Sequence, residues 1–375
     1  MKTKKKDLTA AETYYMATQW QLMRRKFLKH KLARFSGVLL ILLYTGGLFC
    51  GFVSPYYKLS RHDKLYMAPQ KIHWKDETGF HLFKPFVYGS EKALDEETYT
   101  WVYVEDTEKK YPVGFFVRGD AYKFWGLFRT DVHLFGVNLT GTDGLGTLHL
   151  LGTDNLGRDV LSRIIYASRI SLSIGLIGVF LSFILGVSLG GLAGYFGGRV
   201  DMAISRVIEF LQSLPTIPLW MAMAAALPPH WSSIAVYAGI TVILSIVGWT
   251  GLARVVRGKF LELREEDFIM AAKASGAGTF TIIRRHMVPS FLSYLIVSLT
   301  LSIPGMILGE TGLSYLGLGL RAPIVSWGTL LQQAQNFSVV ALYPWLMIPA
   351  LFVILAVLAF NFLGDGLRDA ADPYK

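Results

Sequence analysis

Side chains capable of covalent or metal chemistry occur in this sequence, but not at the spacings such chemistry needs. His62, His73, His81, His133 and His149 show neither His-x3-His nor Cys-His spacing, so zinc has no support. Gly141-Thr142-Asp143-Gly144-Leu145-Gly146 is echoed eleven residues later by Gly152-Thr153-Asp154-Asn155-Leu156-Gly157. The aspartates lack the spaced ligand set of a calcium loop, and both stretches read as turns. There is no Gly-x4-Gly-Lys-Ser/Thr phosphate loop, so the chain is not expected to hydrolyse ATP, and no Gly-x-Ser-x-Gly nucleophile turn. The expectation is no catalytic residue, no metal and no cofactor held by this chain. What remains is a set of polar groups inside apolar sequence. Glu209, with Gln212 close by, and Glu310 each adjoin or enter an uncharged run, where a carboxylate is expensive and therefore a functional candidate. Glu209 either lines a pathway or is solvated at an interface near Asp201. Glu310, placed at the outer end of its run, has Arg321 as a candidate charge partner. Pro215, Pro218 and Pro304 either kink their helices, which would help a gate, or are tolerated bends.

The elements that would position these groups are membrane-spanning. Charged residues make up 17% of the 375 residues and hydrophobic ones 52%, and several uncharged stretches approach or exceed twenty residues. Such stretches read as transmembrane helices. The net charge of +10 lies largely beside these stretches, which favours a membrane surface over nucleic acid. Cys50 is the only cysteine, so no internal disulfide can form. The chain opens on about thirty-four polar, basic residues, including Lys2, Lys4, Lys5 and Lys6, too long a lead for a cleavable signal peptide. Trp20, Met23 and Phe27 lie opposite its basic residues at near-helical spacing, which suggests a helix in the lipid surface; a solvated basic tail is the alternative.

Spans are expected at Phe35 to Val53, about Ile170 to Phe196, Val207 to Leu227 with Pro215 and Pro218 inside it, Trp231 to Ala253, Met287 to Gly309, and Val339 or Tyr343 to Gly364. Residues 322–338 would be superficial or partly re-entrant. The organisation is a cytoplasmic lead (1–34), a first span (35–54), an extracytoplasmic insert (55–165), a five-helix core (166–366) and a cytoplasmic tail (367–375). Strand-like pieces at Thr98–Val104 and Val113–Val117 make the insert α+β or mostly β. The basic residues from Arg254 to Arg285 place that loop inside, with both termini.

The loop 254–289 is the most informative stretch. Ala271, Ala272 and Ala274 would give a short helix a bare crest, Gly276 and Gly278 would end it, and Glu266 and Asp267 suit its N-terminal dipole. A second helix, Thr279 to His286, would lead to Pro289. Two short helices parallel to the membrane suit docking into a cytoplasmic partner; an ordinary positive inner loop explains the same residues.

This stretch resembles the cytoplasmic loop of binding-protein-dependent ABC importer permeases, in Ala271-Ala272, Gly276 and Val288-Pro289. Met270 and Val288 depart from the general pattern, which has Glu and Leu there. An apolar residue before the alanines is similar to the peptide branch, whose acids lie earlier, at Glu266 and Asp267 in this sequence. Leu151 to Arg163, Gly194 to Asp201, Leu313 to Gly319, Ser326-Trp327-Gly328 and Asn361 to Asp369 resemble the second-subunit type of dipeptide and oligopeptide permease. Residues 60–140 do not match that pattern. The resemblance implies a six-helix, all-α type I permease fold beside the insert. It implies an ATPase-coupling loop carrying Glu266, Asp267, Ala271, Ala272, Gly276, Arg285 and Pro289. It further implies a second permease subunit, two cytoplasmic ATPase subunits that hold ATP and Mg, and an external solute-binding protein, all at a bacterial inner membrane. The solute would be a di- or oligopeptide; an oligosaccharide or metal chelate is the alternative. A different class, a membrane sensor or assembly protein using the large insert, stays open at this point.

Overall fold

In the computed structural model, the described residues are 19–76, 79–80, 85–94, 96, 99, 101–137 and 146–372. Lys2, Lys4, Lys5 and Lys6, His81, Thr98 and residues 141–145 of the first turn motif lie outside them.

The polar lead forms α1 (Gln19–Lys29), separated from α2 (Lys31–Leu48) by His30, whose side chain accepts a hydrogen bond from the Ala33 amide. After α2 comes the insert. It holds a small pair, β1 (Lys75–Asp76) with β2 (Gly79–Phe80), and a three-stranded antiparallel sheet of β3 (Phe86–Leu94), β4 (Trp101–Phe124) and β5 (Phe128–Val137). The two expected strand pieces are one 24-residue strand, β4. Its first half pairs with β3 (Val87 opposite Tyr111) and its second half with β5 (Val113 opposite Val137), so the charged stretch between the pieces continues the strand, with a bulge at 107–109 where the register shifts, instead of turning. Val87, Tyr111, Val137 and Leu148 form the small core beneath.

The helical core follows: α3 (Val160–Phe196), α4 (Gly198–Ser213), α5 (Thr216–Ala225), α6 (Ser233–Leu263), α7 (Asp267–Ala274), α8 (Leu292–Tyr315), α9 (Trp327–Leu331) and α10 (Ile348–Ala371). α3 starts ten residues before the expected span, because the Asp159 carboxylate caps it by accepting from the Ser162 amide at 2.7 Å. Its 37 residues extend about 55 Å, more than a ~30 Å hydrocarbon layer, so it projects beyond the membrane. The third expected span is not one straight helix. Leu214-Pro215 breaks it, and α4 and α5 meet at 89°. Pro215 supplies no amide and restricts Leu214 to an extended conformation. Pro218 sits harmlessly in the first turn of α5, and Pro304 lies buried within α8.

Among the described residues, five helices are long and apolar enough to cross a bilayer, and the bent pair makes a sixth if it counts as one. Packing direction decides this. Ser245 of α6 donates to the Gly178 carbonyl of α3 at 3.0 Å, and further on Gly194 of α3 lies against Arg257 and Phe260 of α6. Residue numbers rise together, so α3 and α6 run parallel, and the α4–α5 segment must return the chain across the membrane. α8 runs antiparallel to α3: Ser171 meets Glu310, while Gly175 meets Ile303 and Ile307. α10 is antiparallel to α2, with Tyr44 edge-on to Phe360 and Ala33 under Gly366.

One face of the bundle therefore holds the start of α2, the ends of α3 and α10, and α7. Met23 of α1 reaches Ser293 there, and the Lys26 ammonium donates to the Asp372 carbonyl at 2.7 Å. The insert rises from the opposite face. Within residues 322–338, expected to be superficial or partly re-entrant, both ends are exposed while α9 tucks into the bundle, with Trp327 completely buried.

Candidate functional site

The first candidate is the elbow between α6 and α8. α6 extends ten residues past the expected end of its span, so the polar loop is in part a continuation of that helix. After Arg264 the chain turns, Glu266 occupies the N-cap position and Asp267 opens α7, where a negative charge suits the helix dipole. α7 ends by wrapping: the Gly276 amide donates to the Lys273 carbonyl and the Ala277 amide to the Ala272 carbonyl, both at 3.0 Å. Gly276 adopts φ +78°, which favours glycine. From Thr279 to Ser290 the chain is helical again, with a π-helical stretch at Ile283–Met287, until Phe291 breaks it from α8.

The elbow has two sides. Ile269, Ile282, Met287, Phe291 and Leu295 pack with Val256 and Phe260 of α6 into a buried cluster. Glu266, Asp267, Ala271, Gly276, Arg285 and Pro289 are exposed on the other side, together with Phe268, Met270 and Phe280. Ala272 is half-buried against the cluster, so of the two adjacent alanines Ala271 belongs to the crest and Ala272 to its footing. Exposed aromatic and methionine side chains on a small-residue crest form an apolar contact surface larger than an inner loop requires. Lys273 lies 5.6 Å from the Tyr195 ring, joining α7 to the end of α3.

The second candidate is the bent α4–α5 segment. Gln212 is exposed, and its side chain reaches α6: its amide donates to Thr250 Oγ1 at 3.1 Å and its carbonyl accepts from Arg254. Asp201 is held by the Arg257 guanidinium, one of the two contacts being 2.6 Å. Both fasten α4 to α6. Glu209 is exposed and pairs with Arg206 at 2.8 Å on the outer side of α4, an exposed pair worth little. Pro215 marks the bend.

Glu310 differs most from its expected setting. It lies in the last two turns of α8, toward the span's expected outer end, but it is fully buried and has no ion pair to Arg321 among the described residues. α8 continues to Tyr315, and Thr311 and Ser314 in its last turns pack against Gly328 of α9. The carboxyl accepts from Ser171 Oγ at 3.1 Å, from Ser314 Oγ at 2.7 Å and from the Ser326 hydroxyl. Each hydroxyl in turn accepts a backbone amide: Trp327 on Ser171 at 3.1 Å, Leu320 on Ser314 at 3.0 Å and Thr329 on Ser326 at 3.2 Å. Arg321 is exposed. Ser171, Ser314 and Trp327 were thus missed as partners; the recurrence of Ser-Tyr and Ser-Trp-Gly around Glu310 was the available signal. Also missed was the Gly186, Gly190, Gly194 stripe at intervals of four, which lets α3 approach the backbone of α6 at Ala253 and Arg257.

Residues 186–374 match the family described as binding-protein-dependent transport system inner membrane component, and residues 18–69 match the N-terminal TM domain of oligopeptide transport permease C. Among curated relatives, a dipeptide transport system permease protein of Bacillus subtilis (strain 168) is 41% identical over 60% of this chain and 68% of its own length. An oligopeptide transport system permease protein of Haemophilus influenzae is 40% identical over 60% of this chain and 70% of its own. A putative peptide permease protein of Brucella suis biovar 1 is 37% identical over 68% and 81%. Among solved structures, an inward-facing form of the MetNI methionine ABC transporter covers 56% of this chain and 96% of its own, with 19% identity and a TM-score of 0.43.

The chain belongs to the binding-protein-dependent transport system inner membrane component family. It is a multi-pass permease subunit of an ABC importer. The insert's sheet lies between the two matched segments, 18–69 and 186–374.

Proposed function

We infer that this permease forms half of the pathway of an importer for dipeptides or oligopeptides, and that the elbow is where ATP hydrolysis reaches it. The relatives' names support the solute class. The observation that carries the coupling role is the two-sided elbow: a crest of Ala271, Met270 and Phe280 on an underside fused to α6 and α8. A partner pressing on the crest moves both spans, and a transporter needs such a connection to bias its outward- and inward-open states.

On this reading the elbow face is cytoplasmic, with both described helix ends, and the insert is extracytoplasmic. The basic residues of α1 and the elbow agree with the positive-inside rule. Two cytoplasmic ATPase subunits hold ATP and Mg, a second permease subunit completes the pathway, and an external binding protein delivers the solute. Glu266, Asp267, Ala271, Gly276, Arg285 and Pro289 form the docking surface, and Ala272 supports it from beneath. Pro215 is the gate candidate, and Glu209 and Gln212 tune the helix before it.

The test is reconstitution with the ATPase, permease and binding-protein subunits encoded beside this chain. Ala271→Trp is expected to lower peptide uptake by roughly tenfold or more, the cost of blocking a central docking contact, while Ala271→Ser keeps uptake. Full uptake by Ala271→Trp would remove the elbow from the coupling route. The ligand recovered from the neighbouring binding protein tests the solute class separately: a sugar or metal chelate there would overturn the peptide reading.

A further inference from the structure

The β4–β5 hairpin ends in Lys123-Phe124-Trp125-Gly126-Leu127-Phe128-Arg129. Phe124 and Phe128 pair across the ladder, as do Lys123 and Arg129, so an apolar tip is bracketed by two cations. The tip is not folded inward. Leu127 is 78% exposed, Phe128 58% and Trp125 50%, and on the same hairpin Phe115 and Phe116 are exposed as well. Trp125 is held at φ +49°, a left-handed conformation uncommon for any residue but glycine, which turns a large ring outward. In water such a cluster is a liability.

Its position supplies the reason. The Trp125 indole donates to the Leu48 carbonyl at 2.9 Å, and Phe49 lies against Phe124 at 5.9 Å and Trp125 at 5.6 Å. Phe52 meets Phe116 at 6.1 Å. Leu48 ends α2, whose 18 residues run about 27 Å, close to a ~30 Å hydrocarbon layer. The tip therefore sits at the depth where that layer gives way to headgroups. The exposed side of α2 (Phe35, Val38, Ile41, Leu42, Leu48) runs along the helix and continues onto the hairpin.

We propose that the β4–β5 hairpin tip is a membrane anchor: Trp125, Leu127 and Phe128 enter the lipid interface of the leaflet at which α2 ends, and Lys123 and Arg129 meet the lipid phosphates. Aromatic rings with a polar edge favour this zone, and flanking cations favour anionic headgroups. A cavity of about 490 Å³ behind the tip, which Lys58 and Arg169 line beside Tyr57 and Tyr166, adds positive charge at the same depth. The insert is then tethered through its hairpin as well as through its two chain connections.

The test uses the full chain in its assembled transporter, reconstituted in vesicles of phosphatidylethanolamine and phosphatidylglycerol. A nitroxide is placed at Leu127→Cys or, as control, at Glu108→Cys, in a Cys50→Ser background. Glu108 lies on the half of β4 that pairs with β3, far along the strand from the tip. Relaxation by oxygen should exceed relaxation by a water-soluble nickel chelate at residue 127, with the order reversed at 108. Equal behaviour at the two sites would mean that the tip lies in water. Protection of residue 127 from both reagents would mean that another protein covers it. Either outcome overturns the anchor.

Discussion

At residue scale the least expected side chain is Glu310. An acid sealed inside α8 with three serine hydroxyls, and with no ion pair to it among the described residues, serves as an acceptor for groups that organise the chain beyond the helix. Ser171 relays to the start of α9 and Ser314 to Leu320. Glu310→Leu should leave hydroxyls without an acceptor and destabilise the bundle by about 1–3 kcal/mol, measured as denaturant unfolding in detergent, whereas Glu310→Gln should lose much less. Equal losses would show that negative charge, not hydrogen bonding, is what the site requires. The sequence marked Glu310 as unusual because acids are rare in apolar runs. It did not reveal the serines, since the Ser171 and Ser314 hydroxyls come from α3 and α8 segments 139 and 4 residues away, and the first of these is a tertiary contact. Glu209 illustrates the opposite case: it lies on the α4 half of the bent span, exposed, and pairs with Arg206 one turn away on the same helix, a partner the sequence spacing alone places.

At element scale the α3–α6 pair governs the core. Gly190 lies so close to the Ala253 backbone, and Gly194 to that of Arg257, that any added side chain must push the helices apart. Close backbone approach of this kind is how helices associate where lipid removes the hydrophobic drive. Gly190→Leu should abolish uptake and sharply reduce the yield of folded permease, whereas Gly251→Ala, where an added methyl meets nothing within 4 Å, should leave both near their starting values. A folded, active Gly190→Leu permease would contradict the packing. The existence of the spans was legible from charge-free length, and their ends were not. α6 runs on to Leu263 and α8 to Tyr315 because packing extends helices into sequence that is polar or glycine-rich. The elbow was legible down to Gly276, since a left-handed terminus leaves a glycine signature. The division of labour between Ala271 and Ala272 was not, because it depends on the rotation of α7 about its axis. The bend at Pro215 was visible as a proline, though not as an 89° turn.

At the scale of the whole molecule, the insert joins the bundle through a small aromatic and imidazole junction. Tyr56 and His62, from the segment after α2, pack edge-on against each other at 4.5 Å and against His149 at 5.5 and 4.9 Å, and His149 bonds the Asp159 cap of α3 at 3.0 Å. Burial, and secondarily the neighbouring His149, push the His62 imidazole down from 6.5 to about 4. The unfolded segment therefore takes up a proton more readily than the folded one. The junction should be at full strength above about pH 6.5 and weaken as the pH falls towards 4. Hydrogen exchange of β3 to β5 in the assembled transporter would register this as faster opening at pH 5 than at pH 7.5. His62→Gln should flatten the dependence, and an unchanged slope in that variant would assign it elsewhere.

The parallel contact between α3 and α6 has a mechanical corollary. Two rods welded side by side resist flexing far more than either alone, much as a girder outperforms a plank. A torque applied beneath Phe260 should then emerge near Ser233 with little loss, and deformation should gather at the unwelded joints, Leu214-Pro215 and Phe291.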